Sequence, residues 1–139
     1  MSFELTADVA VVGYGPTGQS LSLLLGRLGH KVVVIERWPD LYPLPRAVHF
    51  EDEIARIFRS AGVMEDIAQI TELSDTCQWR NADGQMLLEI DTRGVGPSGW
   101  PVANIVAQPD LERVLHKHVE ALPKVQGRSP GFAGVAVAV

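Results

Sequence analysis

Three glycines spaced Gly13-x-Gly15-x-x-Gly18, with a carboxylate at Glu36, are the residues of this 139-residue chain best suited by type and spacing to do chemistry. Gly13 permits a tight turn. Gly15 lets the backbone approach a bulky anion such as a pyrophosphate, and Gly18 lets a helix pack closely on a strand. A helix starting at Pro16 would turn free N–H groups, and roughly half a positive charge, toward that anion. Glu36 lies 18 positions beyond Gly18 (36 − 18). A carboxylate there can accept both hydroxyls of an adenosine ribose and would repel a 2′-phosphate. The pattern describes a dinucleotide site for NAD or FAD in preference to NADP. The competing reading is a glycine turn that closes a βαβ unit and binds nothing.

Such a site needs a strand, a helix and a second strand to position it. Asp8 to Val12 is a short β-branched run stopped by Gly13, and reads as a buried strand. The helix is expected from about Pro16 to Leu28, with proline in its first turn and Gly29 as its left-handed cap. Leu21, Leu24, Leu25 and Leu28 recur at helical spacing and predict its apolar face. Lys31 to Glu36 is the second strand, whose continuous Val32, Val33, Val34 and Ile35 suit a parallel sheet covered on both faces. The unit spans residues 8–36 and is right-handed by rule.

Beyond it, Trp38 to Pro45 is a proline-rich loop. Residues 47–63, AVHFEDEIARIFRSAGV, predict a helix with Phe50, Ile54, Ile57 and Phe58 on one face and Gly62 as the stop. Val63 to Ile70 suggests a short second helix. Thr76 to Ile90 reads as a hairpin turning at Asp83-Gly84. Thr92 to Pro101, with Gly94, Gly96, Gly99 and two prolines, is loop. Pro109 to Leu122 is a helix with Leu111, Val114, Leu115, Val119 and Leu122 in register. The tail from Gly127, GRSPGFAGVAVAV, reads as a turn-rich link into a final strand. No internal repeat is visible. The expected fold class is α/β, a Rossmann-like βαβ unit in a mainly parallel sheet with a hairpin and further helices.

Composition narrows the partners. The chain is 46% hydrophobic and 21% charged, with a net charge of −5 and a mean hydropathy of +0.09. That balance suits a globular domain and argues against nucleic acid or an anionic membrane as partner. A bound phosphate must then be held by local groups. The single cysteine, Cys77, excludes an internal disulfide and multi-cysteine metal motifs, and fits a reducing, cytoplasmic setting. The start, MSFELTADV, lacks the basic and apolar regions of a signal peptide. Apolar runs fall short of the ~20 residues of a membrane span.

Three segments carry a family resemblance: DVAVVGYGPTGQSLSLLLGRLGHKVVVIER, then YPLPRAVHFEDEIARIF, then GWPVANIVAQPDLERVL. A glycine loop containing Pro16, Glu rather than Asp at 36, a PRA segment and a later Q-x-x-L-E form a specific set. The chain resembles the single-component flavin-dependent aromatic hydroxylases related to p-hydroxybenzoate hydroxylase, the class A flavoprotein monooxygenases. Within them it is most similar to 3-(3-hydroxyphenyl)propionate hydroxylases. The resemblance implies FAD as cofactor, NAD(P)H as reductant, oxygen, and hydroxylation of a phenolic substrate. It implies that Arg46 of PRA approaches the phosphates or ring of the flavin nucleotide and that Gln108 hydrogen-bonds the nucleotide. The expected cofactor-binding residues are Gly13, Gly15, Pro16, Thr17, Gly18, Glu36, Arg37, Arg46 and Gln108. No catalytic side chain and no metal ligand is expected.

The chain departs from the family in length. The family runs to several hundred residues, with later Asp-Gly and Gly-Asp segments at the flavin and a substrate-binding sheet. The expectation is an N-terminal part of an FAD-binding domain over residues 1–139, inactive alone. An NAD-binding dehydrogenase module and a fold fragment without ligand are the alternatives. Tyr14, where the family often has alanine, is a smaller departure. His116 and His118 sit two apart on a helix and face different ways, against a metal pair. His49 reads as a structural histidine or as lining the flavin site. Cys77 and Trp38, Trp79 and Trp100 read as packing residues. Glu51-Asp52-Glu53 suits a helix start.

Overall fold

The computed structural model describes residues 6–128. In chain order the elements are β1 (Val9–Val12), α1 (Pro16–Arg27), β2 (Val32–Ile35), β3 (His49–Glu51), α2 (Asp52–Ser60), α3 (Met64–Ala68), β4 (Thr71–Leu73), β5 (Thr76–Arg80), β6 (Met86–Asp91), β7 (Ala103–Val106), α4 (Gln108–Glu120) and β8 (Val125–Arg128). They form two compact units. One takes the chain to Leu44 and resumes at Pro109; the other is Pro45–Gln108.

The first unit is built on a three-stranded sheet in the order β1-β2-β8. Both pairings are parallel, Val9 to Val32 on one side of β2 and Val32 to Val125 on the other. The expected βαβ unit is therefore present, and within this unit the described sheet is wholly parallel. Val11, Val32 and Val34 form a buried cluster, with Val9, Tyr14, Leu25 and Val125 packed around it.

The buried face of α1 differs from the one its leucines predict. Leu21 and Leu28 are exposed, whereas Gln19, Ser22 and Leu23 are buried. Small residues set that face. A β-carbon on Gly26 would come within 2.6 Å of Val125 and 2.9 Å of Leu122. Gly18, Ser22 and Gly26, spaced four apart, form a low ridge where neighbouring elements come closest. The leucines are displaced to its flanks. Gly29 has φ +91, as a left-handed cap requires.

β8 is an addition to the sequence reading, which began the tail as a link at Gly127; residues 127 and 128 belong to this strand. The final strand expected further on lies outside the described residues.

The second unit is antiparallel. β3-β7-β4 make one sheet, with His49 opposite Ile105 and Thr71 opposite Val106, and β5-β6 make a separate hairpin. The helix predicted over 47–63 is corrected here. His49–Glu51 is strand, and α2 begins only at Asp52, after Glu51 at φ −92, ψ 172. Pairing with β7 wins over local helix propensity, because it satisfies the backbone and buries Phe50 edge-on against Phe58, 5.3 Å between centroids. Ile54 is exposed; Ala55 and Phe58 carry the buried face. Gly62 stops the segment at φ +63, and the short second helix is α3.

The hairpin turns where expected. Asn81 Oδ1 accepts from the backbone of Asp83 and Gln85, and Gly84 has φ +81. Both its strands are exposed throughout, so Cys77 and Trp79 are not core residues. Trp38 is exposed as well. All three depart from the expected packing role, because sequence gives polarity and size but not what covers a face.

Candidate dinucleotide site

Loop 13–18 joins β1 to α1. Gly13 has φ +99, a conformation open to glycine, and its N–H donates to Ile35 O at 2.8 Å, tying the loop to the end of β2. A β-carbon on Gly18 would stand 2.1 Å from the Gly13 carbonyl oxygen. On Gly13 or Gly15 it would meet nothing within 4 Å. The loop is sealed toward the helix and open above Gly13 and Gly15. Gly15 caps α1, Pro16 opens it, no side chain caps its N-terminus, and its first turn holds no acid. No acid of α1's own first turn offsets its positive end, which suits an anion site.

Glu36, just past β2, holds the loop from the other side. Its Oε2 accepts from the Tyr14 backbone N–H at 2.8 Å, and its Oε1 accepts from the Trp38 N–H at 3.0 Å. Partial burial pushes its carboxyl up. The N–H groups of Trp38, Tyr14 and Arg37, with the charge of Arg37, outweigh this and hold it below the ordinary 4.5. Glu36 is an anion at neutral pH. Arg37 lays its guanidinium 4.9 Å from the centre of the Trp38 ring. Thr17 is exposed on the first turn of α1.

Tyr14, in sequence only a departure from the family pattern, is the most engaged residue of the loop. Its carbonyl accepts from Gln19 Nε2 at 2.9 Å, and its hydroxyl lies 2.9 Å from His116 Nδ1 on α4. The rings meet edge-on, 5.6 Å apart at 83°. No sequence motif links positions 14 and 116.

The other two expected residues belong to the second unit. Gln108 is buried, and its Oε1 accepts from the backbone N–H groups of Arg46 (3.2 Å) and Ala47 (2.8 Å). The structure thus brings Arg46 and Gln108 together, with Gln108 holding the backbone of the PRA segment. Arg46 is exposed. His49 is exposed on β3. Asp52 accepts from the Ser98 N–H at 2.8 Å, a bond that holds its carboxyl below the ordinary range and fastens the 92–101 loop to the start of α2. Among the described residues no group of three or more His, Cys, Asp or Glu is placed to hold a metal ion.

Comparison with known families decides between dinucleotides. Residues 6–130 match the family described as FAD binding domain. The chain belongs to this family. Its cofactor is accordingly FAD, and this FAD-binding domain has aromatic hydroxylases among its relatives. It is 45% identical over 121 residues to a "Probable NADH-specific resorcinol 4-hydroxylase" of Rhodococcus jostii (strain RHA1), covering 87% of this chain and 23% of that protein. It is 36% identical over 122 residues to "3-(3-hydroxy-phenyl)propionate/3-hydroxycinnamic acid hydroxylase 2" of Burkholderia vietnamiensis (strain G4 / LMG 22486), covering 88% and 22%. The chain thus spans less than a quarter of the length of these curated relatives. Among solved structures it is similar to p-nitrophenol 4-monooxygenase PnpA from Pseudomonas putida DLL-E4. There the TM-score is 0.77 and the identity 30%, covering 86% of this chain and 31% of that one. The flavin-dependent monooxygenase PieE, in complex with FAD and substrate, shares the fold at TM-score 0.75.

The residues of this FAD-binding domain fit the cofactor's diphosphate end. The open α-carbons of Gly13 and Gly15 leave room for a phosphate, and the uncapped start of α1 supplies complementary charge. Among the described residues no helix is long and apolar enough to cross a membrane.

Proposed function

We propose that residues 8–36 hold the adenosine and diphosphate of FAD, as the nucleotide-binding part of a monooxygenase that hydroxylates a phenolic substrate with NAD(P)H and oxygen. The observation that carries this reading is the contrast inside the glycine loop. Gly18 has no room for a β-carbon, while Gly13 and Gly15 face open space. Backbone N–H groups at Gly15, Thr17 and Gly18 bind the diphosphate, and Pro16, which has none, presets the first helical turn. Glu36 takes the ribose. An ionised carboxylate offers about four acceptor sites, and Tyr14 and Trp38 occupy one on each oxygen. Arg37 adds positive charge beside it. In the second unit, Gln108 steadies the backbone at Arg46, whose guanidinium is by type suited to phosphate oxygens.

When bound, FAD supplies the redox chemistry; these residues bind and orient its nucleotide end and move no proton. The relatives, hydroxylases of resorcinol and of 3-(3-hydroxyphenyl)propionate, support a phenolic substrate. We assign enclosure of that substrate to parts of the relatives that this chain does not match. The lone, exposed Cys77 supports a reducing cytoplasmic compartment. Titration of the chain with FAD and with NAD, followed by calorimetry, tests the reading. FAD should bind more tightly; tighter binding of NAD overturns it.

A further inference from the structure

Tyr14 lies between two loop glycines, and each of its polar atoms is held by a different element of the same unit. Its N–H donates to Glu36 beyond β2, its carbonyl accepts from Gln19 on α1, and its hydroxyl meets His116 on α4. His116 Nε2 lies 3.5 Å from Glu120 Oε1. That carboxylate favours the tautomer with its proton on Nε2, which leaves Nδ1 to accept and makes the Tyr14 hydroxyl the donor. Burial, and then the negative charge of Glu120, push the phenol above its ordinary range, so it keeps that proton throughout neutral pH.

The peptide between Tyr14 and Gly15 is planar and trans, so its carbonyl and the Gly15 N–H point in opposite directions. Fixing one fixes the other. Gln19, fully buried, draws the Tyr14 carbonyl toward α1, and the Gly15 N–H is thereby turned away from it. Gly13 and Gly15 have no side chains with which to anchor the turn. Tyr14 is the side chain available to do so, and its ring reaches 102 positions along the sequence to α4.

We propose that Tyr14 is a positioning residue of the nucleotide site, aiming the Gly15 N–H at the diphosphate, and that His116 acts through it by holding its hydroxyl. This rests on the nucleotide reading above. An aimed donor binds more tightly than one that must be ordered on binding. Losing the Tyr14–His116 bond should therefore weaken nucleotide affinity while leaving the sheet and helices in place.

The test uses the whole chain, FAD and ADP as probes, calorimetry for affinity and circular dichroism for melting. Tyr14→Phe keeps the ring and removes the hydroxyl. It should weaken both probes about three- to tenfold, the weight of one hydrogen bond. His116→Leu should do the same, and the double variant should be no worse than either single one, as expected when both remove one interaction. His116→Asn, which restores an acceptor near the place of Nδ1, should recover most of the loss; a merely space-filling role would give no such rescue. Unchanged affinity in Tyr14→Phe, additive losses, or Asn no better than Leu each overturn the proposal. Failure of the parent chain to bind either probe overturns the nucleotide reading and this proposal with it. Binding by the parent with unaltered variants overturns this proposal alone.

Discussion

The α-carbon of Gly18 rests against the carbonyl of Gly13, so close that a β-carbon would stand 2.1 Å from the oxygen and 3.0 Å from the carbon. Both sides of this contact are backbone. The Gly13 N–H is itself bonded to Ile35 O, so the turn cannot retreat without loosening the end of β2. One contact therefore fixes how α1 leaves the sheet, and with it where the positive end of the helix lies.

Gly18→Ala should strike the fold. Overpacking against backbone costs about 1–3 kcal/mol, and the urea midpoint should fall accordingly. Gly15→Ala should do the reverse. Gly15 has φ −74 and ψ −173, which any residue adopts, and its β-carbon would meet nothing within 4 Å. Its urea midpoint should hold while FAD affinity drops, because the methyl group occupies the diphosphate's approach. Equal effects of the two substitutions on stability would contradict this division of roles.

How much of this was open to sequence reading depends on distance along the chain. Loop 13–18 and the βαβ unit were legible because each residue there does a local job: a β-branched run, a turn, a helix start. The buried face of α1 was not, since leucines advertise burial and Gly26 does not, although Gly26 is the residue that meets Val125. Phe50 was placed on a helix because its strand partner, Asn104, is 54 positions away. Family resemblance points Gln108 at the nucleotide, whereas its bonds to the Arg46 and Ala47 backbone span 62 and 61 positions and leave no local trace. In sequence His116 shows only its spacing from His118. Its tie to Tyr14 leaves no periodic trace.

Glu36→Ala should lower FAD affinity at least about tenfold. Charge-assisted bonds to the ribose contribute about 1.5–3 kcal/mol each. The N–H groups of Tyr14 and Trp38 also lose their acceptor, so the melting temperature should fall slightly as well. Calorimetric titration reads the first effect. Unchanged affinity would remove Glu36 from the site.

Acidification should expose the same carboxylate. The folded chain holds Glu36 below the ordinary 4.5, so the folded form keeps its charge where the unfolded form has begun to take up a proton. The stability it contributes is present above about 4.5 and drains as pH falls through the lower, folded value. Melting temperature followed from about pH 7 to pH 3 should decline less steeply in Glu36→Gln than in the parent. Asp52 and Asp91 are depressed in the same direction, by Ser98 and Arg93, and contribute equally to both proteins. Superimposable profiles would refute the assignment.

Gln108→Leu preserves bulk and removes the acceptor for two N–H groups. Unfolding in urea should show a loss of about 1–2 kcal/mol, and Gln108→Glu, which keeps an oxygen in place, should lose less. A larger loss in the Glu variant would mean that desolvating its carboxylate outweighs the two retained bonds.

Supplied with FAD, NADH and 3-(3-hydroxyphenyl)propionate, the chain alone should form no hydroxylated product by chromatography. Hydroxylation needs a water-excluded pocket around the flavin ring, and the residues described here address the nucleotide end. Product in stoichiometric amount would show that this reading assigns the chain too little.

The unit that carries the glycine loop is discontinuous in sequence: it runs to Leu44 and resumes at Pro109. Pairing Val32 with Val125 closes a loop of 93 residues (125 − 32), and most of that loop is the antiparallel unit. Closing a flexible loop of that length costs roughly 4 kcal/mol in chain entropy by the logarithmic law. If residues 45–108 have already folded, the flexible span shrinks to a few short connections and the cost falls with it. Chain entropy therefore favours an order in which the inserted unit forms first and β8 docks afterwards. A substitution that melts the inserted unit would then loosen β2 and β8 through the chain alone.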